Sequence, residues 1–463
     1  MTTQATNTPA PVAAADPVTL LRSRRYLQLL VIAAVLGVPI SAVAYGYLVL
    51  STQLQGWLYQ DLPGALGLAA VPAWWPLPLL GVAGLLVGLV VRYVPGRGGE
   101  SPLSGFHPGG GPPDPVPLLG IAVAALVSLG FGAVVGPEAP LIAIGGGLAA
   151  ATVRLARRGA PAQTLAVVAA AGSFAAISAL LGSPLAGAFL LMEAVGIGGA
   201  MLRAILLPGL VASGIGTLVF IGLDAWTGFG TFTLALPDLP PFTRPDIAQF
   251  GWALGIGVAA AVRWIAVLLR HPVERHLLVA TPLIGLAVAG LAIAYAQATG
   301  HAIADVLFSG EEGLPAVVGA HADYTVGALL LLLVIKSLAY AGSLVAFRGG
   351  PTFPAVFLGA VGGIALSHLP GLPLVPAIAM GMGATCAAML QLPLTSVLVA
   401  SLIMGSDGLA VMPLVIVAVA VSFITSARLA PRSAAAADPA PETGAVSHPR
   451  PAPAAHGAGR SSV

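Results

Sequence analysis

Three short stretches combine the residue types that can hold an anion on backbone alone: "GGESP" (Gly98 to Pro102), "GPEAP" (Gly136 to Pro140) and "GGPTFP" (Gly349 to Pro354). Glycine lets backbone approach an ion closely, and proline is tolerated in a first helical turn. A helix that begins at such a break has unpaired N–H groups and about half a positive charge at that end. Each break is therefore a ready anion site. Glu138 adds an acid to the second one. No other charge stands in its run, "VVGPEAPLIAIGGG", and the nine residues after it carry no polar side chain. An acid at membrane depth costs about 2.5–3.5 kcal/mol or more and reads as functional. Charged, it can occupy an anion's place; protonated or displaced, it can vacate it. The bland alternative is a carboxylate capping its own helix. The breaks are read as free of cationic side chains, which suits passage, because conduction needs weak, multiple sites.

Other chemistries find little material. A hydrolytic nucleophile needs a base, and no histidine falls in a core segment near Ser173, Ser178 or Ser183. Grouped His, Asp or Glu for a metal are missing from the sequence pattern, and Cys386 is alone, so no disulfide, metal or cofactor is expected. An intramembrane enzyme is the different-class reading and the weaker one. His271 and His276 flank what reads as a polar, solvated turn. Lys336, the only lysine, is expected to pack or hydrogen-bond within an apolar segment.

The elements that position these breaks are membrane helices. Of 463 residues, 57% are hydrophobic and 8% charged, against about 25% charged in soluble domains. The net charge of +2 gives no basic footprint for nucleic acid. Apolar segments lie at roughly 26–50, 74–94, 117–135, 141–156, 164–180, 184–197, 201–223, 247–269, 278–298, 324–347, 354–368, 374–390, 393–404 and 411–427. Those starting at 141, 184, 354 and 393 are short for a span of about 20 residues, and each begins at a Gly/Pro break. Broken helices in matching places point to a transport site. Pro140 to Pro184 and Pro354 to Pro393 match in spacing and wording, as two diverged halves of about 74–223 and 278–427 would. The sequence alone leaves open whether the halves are inverted. Residues 1–25 and the Ala/Pro-rich 428–463 read as disordered, leaving 26–427 as the membrane domain, with no regulatory soluble domain after it. Arg22, Arg24, Arg25, Arg92, Arg97, Arg154, Arg157, Arg158, Arg428 and Arg432 place both termini in the cytoplasm of a multi-pass cell-membrane protein. Glu138 then lies toward the outer half of the bilayer and "GGESP" at the inner side.

In order, "GGESP", "GPEAP", "GSPLAGAFLLME", "IKSLAYAGSLVAFRGGPTFPAVFLGA" and "LQLPLTSVLVASL" resemble the CLC family of chloride channels and chloride/proton exchangers over roughly residues 26–427. The resemblance implies an all-α integral membrane fold of two inverted repeats with broken, tilted helices, working as a homodimer in the lipid bilayer. It implies transport of chloride, with a fluoride or other halide exporter of the same fold as the alternative, and protons as a possible coupled ion. Carried over, Glu138 is the gating glutamate. Gly136, Pro137 and Ala139 surround an outer anion site, and Gly350, Pro351, Thr352 and Phe353 form the third element. Gly99 stands at the family's anion-coordinating serine, with Ser101 as the alternative. The chain departs from the family in three respects. Pro137 and Pro351 lack an N–H. The family's coordinating tyrosine near the end of the membrane region has no counterpart. Ala194 stands where exchangers carry an inner glutamate; Glu193, one residue and about 100 degrees of helix away, is read as structural rather than as part of a proton pathway.

Overall fold

The computed structural model describes residues 23–429 except 69–70, 105–111, 179, 182, 196–198, 235, 237–238 and 257–260. The tails expected at 1–25 and 428–463 lie almost wholly outside the described residues. At their edges helix reaches further than expected. Ser23 accepts a hydrogen bond from the Tyr26 N–H at 3.2 Å and starts the first helix at Arg24, while the last helix runs to Leu429.

The helices in chain order are α1 (Arg24–Gly56), α2 (Pro76–Tyr93), α3 (Pro115–Gly130), α4 (Glu138–Ala156), α5 (Ala162–Ile177), α6 (Pro184–Val195) and α7 (Gly199–Thr227). They are followed by α8 (Ile247–Ile256), α9 (Ala261–Arg275), α10 (Leu277–Thr299), α11 (Gly313–Gly319), α12 (Val326–Ala346), α13 (Thr352–Leu366), α14 (Leu374–Leu390), α15 (Pro393–Ile403) and α16 (Gly408–Leu429). The described residues hold no strand beyond one isolated bridge, Gly136 to Gly350. Seven helical stretches are long and apolar enough to cross a membrane, whereas α3, α5, α6, α13, α14 and α15 are apolar but shorter. Backbone that leaves a short helix within a bilayer must be covered by protein or line a cavity. Accordingly α13 and α14 are buried along nearly their whole length.

Two expectations need correction. The segment expected from 141 begins at Glu138 and is 19 residues long, so it is not a short one; Pro140 falls in the first turn, where its missing N–H would have had no partner. The run 247–269 is helical on both sides of residues 257–260, which lie outside the described residues, and α9 continues through the stretch expected to be a polar turn. Arg270 Nε donates to Glu274 Oε1 at 2.8 Å, an i,i+4 pair that supports that last turn of helix. His271 lies in it and His276 is the junction to α10.

Close packing at the centre depends on glycine at matched places. A Cβ on Gly145 of α4 would lie 2.4 Å from Gly172 O of α5, and a Cβ on Gly359 of α13 would lie 2.3 Å from Gly381 O of α14. Beside each crossing a hydroxyl ties the pair together. Ser173 Oγ donates to Ile142 O at 2.8 Å, and Thr385 Oγ1 donates to Ala355 O at 2.7 Å. Small residues at such crossings let backbones approach, which is how membrane helices gain packing energy without a hydrophobic drive between them.

Gly359→Ala therefore forces a methyl against backbone that cannot swing aside. It is expected to lower stability by about 1–3 kcal/mol, seen as a lower melting temperature of the detergent-solubilised protein. Gly222→Ala, with open space around the position, should leave that temperature unchanged. Equal melting of both variants would refute the crossing as a tight contact.

Candidate functional site

The non-helical approaches to α4 and α13 solve their hydrogen-bonding problem on each other. Gly136 N–H donates to Gly350 O at 2.7 Å and Gly350 N–H donates to Gly136 O at 2.5 Å. Hydroxyls from neighbouring helices take the flanking amides: Val134 N–H donates to Ser343 Oγ at 3.1 Å and Arg348 N–H to Ser128 Oγ at 3.0 Å. Pro137 and Pro351 come next, just where an N–H would have no partner. Tyr340 Oη donates to Pro351 O at 2.5 Å and fixes the second loop. The two helix starts are thereby held side by side.

Glu138 is fully buried, and its carboxylate crosses from α4 to the other start. Thr352 N–H, in the first turn of α13, donates to Glu138 Oε1 at 2.5 Å, while Glu138 Oε2 and Thr352 Oγ1 have no hydrogen-bond partner. The carboxylate thus sits on the positive end of a 15-residue helix. The Glu138 amide itself and the amide of Phe353 also face the carboxylate, so it touches its own helix start as well as the other. Glycine makes room for it: a Cβ on Gly136 would stand 2.0 Å from Glu138 Oε2, and one on Gly350 2.2 Å from Glu138 Cδ.

Two cavities reach residues next to this seat. One, of about 800 Å³, is lined by residues including Tyr59, Pro137, Thr231, Phe308, Glu311 and Glu312. The other, of about 630 Å³, is lined by residues including Gly99, Ser101, Ala139, Ala194, Arg348 and Pro351. Glu138 lines neither, yet its neighbours Pro137 and Ala139 line one each. It stands between them.

The third break behaves differently. Gly99 has the left-handed φ of +83° and its N–H donates to Gly96 O at 2.8 Å, so that amide is already engaged. The Ser101 hydroxyl donates to Leu344 O at 2.9 Å. A 3-10 turn, Pro102–Ser104, follows; the helix expected to begin there would continue into residues 105–111, outside the described residues. Gly136, Pro137, Glu138, Ala139, Gly350, Pro351 and Thr352 do come together, Phe353 is buried one residue beyond, and Gly99 and Ser101 reach only the wall of the 630 Å³ cavity. Glu193 faces elsewhere: it accepts from Leu394 N–H, Thr395 N–H and Thr395 Oγ1 at 2.9, 2.7 and 2.7 Å, holding the start of α15. Ala194 beside it lines the cavity.

Sequence reasoning missed two charged residues here. The breaks are not free of cations, because Arg348, immediately before "GGPTFP", lines the 630 Å³ cavity. A basic residue directly before a Gly-Gly-Pro break was the available signal. Glu311 lies in "FSGEEG", between apolar segments. It is half-buried in the wall of the larger cavity. Burial first, then the charges of Glu138 and Glu312, hold its carboxyl protonated well above the usual carboxylate range. Lys336 supports that wall. Its Nζ donates to the carbonyls of Asp305, Val306 and Leu307 at 2.9, 3.1 and 3.1 Å and stands 4.1 Å over the Phe357 ring.

The sequence profile of the voltage gated chloride channel family matches residues 83–427, from within α2 to near the end of α16. A protein of Escherichia coli named "Putative ion-transport protein YfeO" is 29% identical over 359 residues, 76% of this chain and 82% of that one. Among solved structures, a slow cyanobacterial Cl−/H+ antiporter superposes with a TM-score of 0.68 at 18% identity, over 87% of this chain and 94% of the other. A CLC-type fluoride/proton antiporter superposes with a TM-score of 0.63 at 19% identity, over 86% and 95%. Those two likenesses concern the fold. The profile match, which takes in both helix starts and the bridge between them, carries the assignment: the chain is an all-α, multi-pass membrane protein of the voltage-gated chloride channel (CLC) family.

Proposed function

We propose that the chain conducts chloride or a related halide between the two cavities, gated by the Glu138 carboxylate, from two inverted repeats of about 74–223 and 278–427 within each subunit of a homodimer. The observation that carries this reading is the seat itself: a fully buried carboxylate hydrogen-bonded to the first amide of α13, with a cavity on either side. An anion would find there the same backbone donor and the same helix dipole. Basic residues at the ends of α2 and α4 support a reading in which the 630 Å³ cavity faces the cytoplasm, the larger cavity faces outside, and both termini are cytoplasmic. In such an arrangement the amides of Gly136 and Gly350 serve the bridge rather than the ion, and the N–H of Thr352 is the one that changes partner.

Passive conduction is the leading mechanism. Glu193 is committed to the start of α15, Ala194 carries no acid, and the one glutamate lining that cavity among the described residues, Glu100, is solvent-exposed. Proton-coupled exchange is the second reading, favoured by Glu311, which faces the outer cavity as a neutral carboxyl over a wider pH range than an ordinary one.

In liposomes the protein is expected to carry a chloride flux above empty controls, with proton movement and fluoride followed in the same preparation. Absence of any anion flux would sink the reading, and uphill proton movement driven by a chloride gradient would replace the passive version with exchange. Glu138→Gln is expected to make the flux independent of pH. Loss of a charge-assisted hydrogen bond, about 1.5–3 kcal/mol, lowers occupancy of the seat by roughly ten- to a hundredfold.

Gly350→Ala reaches the same end from the wall. Its methyl meets the mobile end of Glu138, so the carboxylate is displaced without unfolding. The variant should conduct like Glu138→Gln, and the double variant should add nothing further. Additive effects would show that the glycine acts elsewhere.

Glu311 gives the pH test. Its carboxyl binds a proton more tightly than usual, so it ionises only well above the ordinary carboxylate range. Glu311→Gln removes that titration, and the midpoint of the external-pH dependence of flux is expected to move toward acid. A midpoint that stays in place would separate Glu311 from the gate.

A further inference from the structure

We propose that the Arg348 guanidinium is a fixed binding site for small monovalent anions in the wall of the 630 Å³ cavity, placed to hold an ion before it reaches the Glu138 seat.

Arg348 is 9% exposed, and it keeps its charge at any working pH. Its guanidinium has little protein to answer that charge. Among the described residues its one hydrogen bond runs from Nη1 to Phe347 O, the carbonyl of the preceding residue, at 3.0 Å. Nε is buried with no partner. The described residues hold no carboxylate in ion-pair contact with it. Glu274 attracts it from the end of α9 but is itself bonded to Arg270 at 2.8 Å. Glu100, in the same cavity wall, is exposed to solvent. A buried cation without a partner is costly, and a ligand of opposite charge removes much of that cost.

The surroundings suit a small ion. Gly98, with a φ of +68°, passes against the side chain; a Cβ there would stand 3.4 Å from Arg348 Cγ. Pro351, two residues before Phe353 and one before the amide that holds Glu138, lines the same cavity. An anion held by Arg348 is therefore on the approach to the helix start, on the cavity wall and not at the seat. The guanidinium fork also favours planar oxyanions over a spherical halide, so nitrate should bind better than chloride.

This inference rests on the anion-transport reading for its role but not for its existence. It is tested by titrating chloride and nitrate into the purified, detergent-solubilised full chain by calorimetry, alongside liposome flux at varied internal chloride. Arg348→Gln is expected to weaken chloride binding by about tenfold or more and to raise the internal chloride concentration for half-maximal flux, while Glu138-dependent gating persists. Arg348→Lys keeps the charge and loses the fork. It should still bind chloride, with the nitrate preference reduced, and so provides a result if the Gln variant fails to fold. Wild-type affinity for both anions in Arg348→Gln would overturn the proposal and leave Glu138 gating untouched. So would an undiminished nitrate preference in Arg348→Lys. A wild-type chain that binds chloride through Arg348 yet carries no flux would uphold the site and remove the transport reading.

Discussion

The pair of hydrogen bonds between Gly136 and Gly350 is the constraint from which the site is built. Extended backbone inside a membrane protein has no water to turn to, and each unpaired group costs several kcal/mol. The two loops satisfy one another, and in doing so they lock the starts of α4 and α13 together. Everything at the site follows from that adjacency. Prolines come immediately after the bridge, so no amide is stranded. Glycines form it, so a carboxylate can pass within 2.0 and 2.2 Å of where a Cβ would be. With any side chain at either position, Glu138 could not lie where it does.

The carboxylate is held by a backbone donor and a helix dipole, both electrically neutral overall. Such a holder competes evenly for a side chain and for an ion, because either can leave without abandoning a buried opposite charge. Arg348 is a different sort of group, a permanent charge, and it stands on the cavity wall and not in the seat. On the proposed reading this division would answer the tension between attracting anions and releasing them: the permanent charge would raise local anion concentration, and the neutral dipole would hold the ion at the seat.

Much of this was legible in the sequence. Glu138 stood out because a lone charge in an apolar run has few structural excuses, and the Gly/Pro breaks marked where helices start, although α4 and α13 begin at Glu138 and Thr352, two or three residues before the apolar segments expected from 141 and 354. What the sequence could not say was which start the carboxylate would choose. Its partner lies 214 residues away, and local reading offered only its own helix. The same limit applies to "GGESP": the turn that commits the Gly99 amide to Gly96 O depends on left-handed backbone at its two central residues, Arg97 and Gly98, which composition permits without requiring. Arg348 was visible throughout, but a basic residue at the end of an apolar run reads equally well as a membrane-edge marker. Only the fold shows it turned along a cavity wall.

Lys336 shows how a polar group distant from the seat can still shape it. Its three donors are matched by three successive carbonyls, Asp305 to Leu307, so the ammonium is fully hydrogen-bonded by backbone without an ion pair. Those carbonyls begin the turn that carries Glu311. The same ammonium lies over Phe357 of α13, and Gly310 packs so closely on that ring that a Cβ there would stand 2.6 Å from it. Asp305 is tied in turn by Tyr324 Oη at 3.0 Å, with His301 stacked on Tyr324 at 3.9 Å. The wall of the 800 Å³ cavity is thus fastened to the very helix whose first amide holds Glu138. Moving α13 away from that wall would therefore cost the contacts that Lys336 and Gly310 make with Phe357.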